Sequence, residues 1–147
     1  MLRGNFPARV DDKGRLKLPT EFRTHLDQSN PAHQFYITSV DGVNARVYPL
    51  REWERIEEKL AALPSMNPIK QKLLSRTNYF GQVVEMDAQG RLLIPAVLRS
   101  AAQMKGDVAV LGYLQYLEVW NEERLLSEMK TNAFTDEDKQ TLSDLGI

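Results

Sequence analysis

A thirteen-residue phrase occurs twice in this chain, and no other feature constrains its fold as strongly. Residues 11–23 read DDKGRLKLPTEFR and residues 87–99 read DAQGRLLIPAVLR. At a shift of 76 positions Asp11 meets Asp87, Gly14 meets Gly90 and Arg15 meets Arg91. Leu16, Pro19 and Arg23 likewise meet Leu92, Pro95 and Arg99, while Leu18 and Phe22 meet the apolar Ile94 and Leu98. Internal repetition on this scale implies two copies of one supersecondary unit in a single chain. Each copy carries an arginine directly after a glycine turn.

The repeat unit reads as extended segment, turn, short strand and helix. Extended segments are expected over residues 6–10 and 79–86, the second containing the β-branched run QVVEM. Asp-x-x-Gly follows, where glycine accepts a positive φ that other residues resist. The strands RLKL and RLLI come next. Pro19 and Pro95 then suit the first turn of a helix. Phe22, His25 and Leu26 have helical spacing in the first copy, as do Val97, Leu98 and Ala101 in the second.

The likeness continues beyond the phrase. With a four-residue change in length, QFYITSVDGVNARVYPLREW overlays GDVAVLGYLQYLEVWNEERL, so that Val47 and Tyr48 meet Val119 and Trp120. Both stretches predict a hairpin followed by a helix, with Asp41-Gly42 marking the first turn. Trp53, Ile56, Leu60 and Leu63 share one helical face, and Leu125, Leu126 and Met129 form a weaker version of it. Between the halves, Asn67-Pro68 predicts a capped helix start with Ile69, Leu73 and Leu74 facing inward.

The expected division is therefore a first repeat over 1–63, a helical connector over 64–78, a second repeat over 79–131, and an acidic, flexible tail over 132–147. That tail holds at most a short helix between Thr135 and Leu142. Neither half alone buries much core. Interleaving their strands makes one closed or nearly closed barrel and removes open edges. The expected class is α+β: a mainly β core with flanking helices and pseudo-two-fold symmetry.

Composition narrows the chemistry. The 147 residues include no cysteine, which excludes disulfides and zinc-thiolate sites. Only His25 and His33 could act as imidazole bases or ligands, and they do not cluster in sequence. No nucleophile signature or phosphate-binding glycine loop is present, so no enzyme, cofactor, metal site or small-molecule substrate is expected. Tyr79 and Phe80 read as core residues. No apolar stretch fits a signal peptide or a membrane span, which predicts a cytoplasmic protein. Net charge is −1, but it is unevenly spread. Residues 1–23 hold Arg3, Arg9, Lys13, Arg15, Lys17 and Arg23 against Asp11, Asp12 and Glu21, a local +3. Residues 132–147 hold Asp136, Glu137, Asp138 and Asp144 against Lys139, a local −3.

The turn arginines admit two readings. A guanidinium raised on a glycine turn can form bidentate bonds to guanine edges or phosphates, with the aspartate holding it in place. Equally, Asp11–Arg15 and Asp87–Arg91 can be local ion pairs that fasten two strand-joining turns. Arg23 and Arg99 fit as partners of the turn acids or as solvated cations.

Taken together, VDDKGRLKLPTEFR, VYPLREWERIEEKLAALPSMNP, MDAQGRLLIPAVLRSAA and LEVWNE resemble the MraZ family of bacterial transcriptional regulators, in the AbrB-like swapped-hairpin barrel superfamily. The resemblance spans roughly residues 1–131. It implies a double-split barrel, a ring-shaped homo-oligomer, and a place in the cytoplasm on the nucleoid. It also implies binding to G-rich direct repeats in double-stranded promoter DNA upstream of the division and cell wall gene cluster, with repression of the protein's own operon. Family DNA contacts map onto Lys13, Gly14 and Arg15, with Lys17 and Arg3 as further candidates. Asp11, Asp87, Gly90 and Arg91 match the remaining motif positions. Two departures stand out: Leu125 replaces the tryptophan equivalent to Trp53, and Ala88 and Gln89 replace Asp12 and Lys13. The rival class is a protein-interaction module on the same barrel, without direct DNA binding.

Overall fold

The order of the strands shows how the two halves share one core. The computed structural model describes residues 1–147. Its first half contains β1 (Asn5–Val10), β2 (Arg15–Lys17), α1 (Thr20–Ser29), β3 (Gln34–Thr38), β4 (Ala45–Pro49) and α2 (Leu50–Ala61). Helix α3 (Pro68–Tyr79) leads into β5 (Gln82–Glu85), β6 (Arg91–Leu93), α4 (Ala96–Ala101), β7 (Gly106–Tyr113), β8 (Tyr116–Asn121) and α5 (Glu122–Thr131). Helix α6 (Asp136–Asp144) ends the chain.

All pairings are antiparallel, in the order β5-β3-β4-β8-β7-β1-β2-β6. β1 joins the hairpin of the second half by pairing with β7, and β5 joins that of the first by pairing with β3. The halves are thus swapped into one another, as the repeat predicts. The end strands β5 and β6 meet through a turn closed by Asp87 N–H donating to Arg91 C=O at 3.0 Å. An eight-stranded, nearly closed barrel with six flanking helices results.

Two strand pairs lie on the pseudo-two-fold axis. In β2–β6, Leu16 faces its own equivalent, Leu92. In β4–β8, Arg46 faces its own equivalent, Glu118. Leu16, Leu18, Ile37 and Val47 fill the barrel with Leu92, Ile94, Val110 and Val119, all nearly or fully removed from water. Each such side chain contributes roughly 1.5–3 kcal/mol of transfer free energy.

The helices seal the barrel from outside. Phe22 and Leu98 are the buried anchors of α1 and α4. Trp53 of α2 stacks on Tyr36 at 4.8 Å and leans on Tyr48 at 5.1 Å. Leu125 of α5 takes the equivalent place against Ala109 and Trp120. No helix is long and apolar enough to cross a membrane.

Several local expectations are corrected. Pro19 and Pro95 occupy the cap positions, with φ of −54° and −53°, one residue before the helices begin. His25, Val97 and Ala101 are exposed, and Ala102 is the buried residue instead. Residues 79–81 are not strand: α3 runs through Tyr79. Thr77 C=O accepts from Thr38 Oγ1 at 2.6 Å and Tyr36 OH at 2.9 Å, which pins the helix end on the sheet. Tyr79 consequently points outward at 68% exposure, whereas Phe80 packs against the core. Asn67 does cap α3, accepting from Ile69 N–H and Lys70 N–H, but Ile69 itself is exposed and Leu73 and Leu74 are only half-buried. Leu63, Leu126 and Met129 are also exposed, leaving Trp53, Leu60 and Leu125 as the buried anchors of α2 and α5. Residues 136–144 form a helix with a capping box between Thr135 and Asp138, and none of its side chains is buried.

Candidate nucleic-acid interface

The two Asp-x-x-Gly-Arg turns have the same construction. In the first, Asp11 Oδ1 accepts from Lys13 N–H at 3.0 Å and Arg15 N–H at 2.9 Å. Asp11 Oδ2 accepts from Arg15 Nε at 2.8 Å. Gly14 supplies a φ of +84° and donates its N–H to Asp11 C=O. In the second, Asp87 accepts from Gln89 N–H and Arg91 N–H, each at 2.9 Å, and from Arg91 Nε at 2.8 Å. Gly90 has a φ of +78°.

Each aspartate is an acceptor three times over, which favours its charged form. The arginine N–H does most to hold Asp11 and Asp87 below the usual carboxylate range, outweighing partial desolvation, with the guanidinium and the second backbone donor adding to it. The ion-pair reading of these turns is therefore correct as far as it goes. It is compatible with recognition, because only Nε is engaged. The carboxylate orients the guanidinium and leaves its outer edge open.

At that outer edge the two turns differ. Arg91 Nη2 donates to Gln89 Oε1 at 3.3 Å. Arg15 has Lys13 at the corresponding position, and a lysine has no acceptor to offer. Both terminal nitrogens of Arg15 are thus without a protein partner, arranged as the fork that matches guanine O6 and N7 or a phosphate.

The strands carry these turns onto one ribbon. Arg15 and Lys17 alternate with buried Leu16 and face outward. Across the ribbon, Arg15 lies opposite Leu93 and Lys17 opposite Arg91. Lys17 therefore stands at the second turn's end of the ribbon, roughly 7 Å along from Arg15. Lys13 is exposed at the first turn. Arg3 is not part of this assembly. It precedes β1, whose far end at Val10 leads into the turn, so Arg3 sits on the order of 20 Å away.

Sequence reasoning left the partners of Arg23 and Arg99 open, and here the halves cross. Arg99 lies over Gly14 of the first turn, and Arg23 lies over Gly90 of the second. A Cβ on Gly14 would fall 1.3 Å from Arg99 Nη1, and one on Gly90 would fall 2.7 Å from Arg23 Nη1. Glycine is required at both turns for its φ and for this close approach. The crossing was invisible in the sequence because it depends on the pairing of β2 with β6.

A pseudo-two-fold barrel of swapped hairpins, carrying a matched pair of arginine turns on a shared ribbon, defines a double-split barrel protein. The chain belongs to the MraZ family of transcriptional regulators. The family described as "MraZ protein, putative antitoxin-like" matches residues 1–76 and 81–145. The chain is 58% identical over 147 residues to Transcriptional regulator MraZ of Koribacter versatilis, covering the whole of both chains. It is 54% identical to the protein of the same name from Acidobacterium capsulatum, again over the whole of both. Identity is 35% with that of Tolumonas auensis, over 99% of this chain and 91% of the relative.

Proposed function

We propose that this protein is a sequence-specific DNA-binding transcriptional regulator that reads promoter DNA through its first turn. The observation that carries the reading is the free outer edge of Arg15. Asp11 anchors Nε at 2.8 Å, and no protein acceptor engages the terminal nitrogens. A bidentate bond from that edge to guanine O6 and N7 accounts for a preference for G-rich boxes. Lys13 and Lys17 flank it as phosphate contacts, and Gly14 lets the backbone approach. Arg3 lies outside the interface. The resemblance extends the reading to G-rich direct repeats upstream of the division and cell wall gene cluster, with repression of the protein's own operon on the nucleoid. Assembly into a homo-oligomeric ring would join several weak single-turn contacts into one tight engagement, which suits a chain of net charge −1.

Fluorescence anisotropy with the DNA upstream of its own operon tests this, using wild type, Arg15→Ala and Arg91→Ala against a scrambled duplex. Arg15→Ala should cost about 1–3 kcal/mol per bidentate contact and relax the sequence preference. Arg91→Ala should retain the preference. Equal binding by Arg15→Ala and wild type would sink the reading. Absence of DNA binding with retained capture of one protein partner would support the interaction module instead.

A further inference from the structure

The first turn is completed by a residue from the other half of the chain. We infer that Arg99 is a phosphate-binding residue that positions the first turn on DNA, an inference that rests on the DNA-binding reading above. Arg99 is half-buried, and its guanidinium is pressed over Gly14, next to Lys13 and Arg15 in the chain. It takes part in none of the molecule's ion pairs, and its side chain donates no hydrogen bond within the protein. An arginine held in place by packing, with all its donors free beside a candidate base-reading arginine, is arranged to receive an anion.

The pseudo-equivalent residue shows what a committed arginine looks like in the same setting. Arg23 lies over Gly90, but its Nη2 donates to Ala88 C=O at 3.2 Å and its Nε pairs with Asp27 at 3.9 Å. The difference is written one helical turn on. Asp27 lies on α1, which runs to Ser29, whereas α4 ends at Ala101 and Gln103 is already in a left-handed turn at φ +53°, so Arg99 has no carboxylate where Arg23 has one. Lys105, just beyond that turn, lines the hollow beside Gly14 with Arg99, Ser100 and Gln103; Asp11 and Asp12 line it too. Around the first turn stand Lys13, Arg15, Arg99 and Lys105 against Asp11 and Asp12. Around the second stand Arg23, Arg91 and Lys17 against Asp27 and Asp87. The first surroundings carry one more positive charge than the second, on the same scaffold, and their arginine over the glycine is the one left uncommitted. A phosphate beside the base contacted by Arg15 fits the first. A phosphate contact fixes register without reading sequence, which gives Arg99 a role different from that of Arg15.

The test is the salt dependence of binding to matched and scrambled duplexes by wild type, Arg99→Ala, Arg99→Lys, Arg23→Ala and Arg15→Ala, with thermal unfolding to confirm folding. Arg99→Ala should lower affinity for both duplexes by the same factor. It should also flatten the slope of log K against log salt by about 0.9, the share of one phosphate. Arg99→Lys should keep the slope, and Arg23→Ala should leave it unchanged. A wild-type slope in Arg99→Ala, an equal loss of slope in Arg23→Ala, or loss of the matched-over-scrambled ratio in Arg99→Ala would each overturn the inference. The DNA-binding reading fails separately: in that case wild type itself does not prefer the matched duplex, or Arg15→Ala keeps the preference.

Discussion

Replacing Gly14 and Gly90 by alanine, one at a time, separates what the two turns share from what divides them. Their φ values of +84° and +78° place both in the region that a Cβ resists, at a cost of roughly 1–2 kcal/mol each. For a chain of this size each kcal/mol lowers Tm by about 2–4 °C, so each variant should melt roughly 2–8 °C below wild type. Sterically they differ. At Gly14 the new methyl would lie 1.3 Å from Arg99 Nη1, so that guanidinium must leave its place. Because Arg99 donates no side-chain bond within the protein, its departure adds little to the stability loss. At Gly90 the contact is 2.7 Å from Arg23 Nη1, relieved by a small shift of a flexible end. Gly14→Ala should therefore lose DNA affinity well beyond its loss of stability, while Gly90→Ala loses stability alone. Calorimetry and anisotropy on the same preparations check both parts. Unchanged Tm in both variants would refute the backbone argument, and equal affinity losses would refute the claim that only the first turn binds.

Leu16→Ala removes a fully buried side chain from the pseudo-two-fold axis and should cost about 2–5 kcal/mol by urea unfolding; combined with Leu92→Ala it should be non-additive, because the two residues face each other. Glu118→Ala leaves Trp120 Nε1 without its 3.0 Å acceptor and Arg46 without its ion partner. With Arg46 one-third exposed, a loss of about 1–3 kcal/mol in urea unfolding is expected. Asp11 and Asp87 have depressed native pKa values, so the stability they confer is present above the unfolded carboxylate value near ~3.9. It is lost as pH falls below that value, and urea titrations at stepped acidic pH should show a shallower acid limb in the Asp11→Asn, Asp87→Asn double variant. Burial pushes the Tyr116 hydroxyl up to about 12, so stability should fall as pH rises from the unfolded tyrosine value near ~10. Burial also raises Tyr36 and Tyr113, so tyrosinate absorbance should show several late-ionising tyrosines, one fewer in Tyr116→Phe.

The barrel and its two turns were legible because their determinants are local and repeated. Asp-x-x-Gly-Arg encodes its own hydrogen bonds, and Leu16, Leu18, Ile94 and Leu98 follow the period of the elements that bury them. What escaped depends on contacts between elements far apart in sequence. Tyr79 reads as a strand residue by propensity, but Thr77 C=O is claimed by Tyr36 and Thr38, and the helix persists to meet them. Ile69 has helical spacing, yet spacing does not say whether a face meets the barrel or water. Lys17 belongs to the first phrase but faces Arg91 of the second, because β2 and β6 run antiparallel. The crossing of Arg23 and Arg99 follows from the same pairing.

Joining the two halves in one chain permits an asymmetry that a symmetric dimer of identical halves could not have. On the axis of such a dimer, the residue at the β4–β8 crossing would face a copy of itself. Two arginines or two glutamates buried there would repel, with no compensating partner. Here Arg46 faces Glu118, 3.6 Å apart, and the carboxylate also accepts from Trp120. The pair can exist only because the halves have diverged. The turns diverge under the same freedom. Gln89 ties down the outer edge of Arg91 and Asp27 ties down Arg23, while Lys13 leaves the outer edge of Arg15 free and the shorter α4 leaves Arg99 without a carboxylate. Asp11 and Asp87, Gly14 and Gly90, and Leu16 and Leu92 remain identical, because both turns must still form and both strands must still meet on the axis. The identities thus mark what the barrel needs to fold, and on the proposed reading the differences assign DNA contact to one turn.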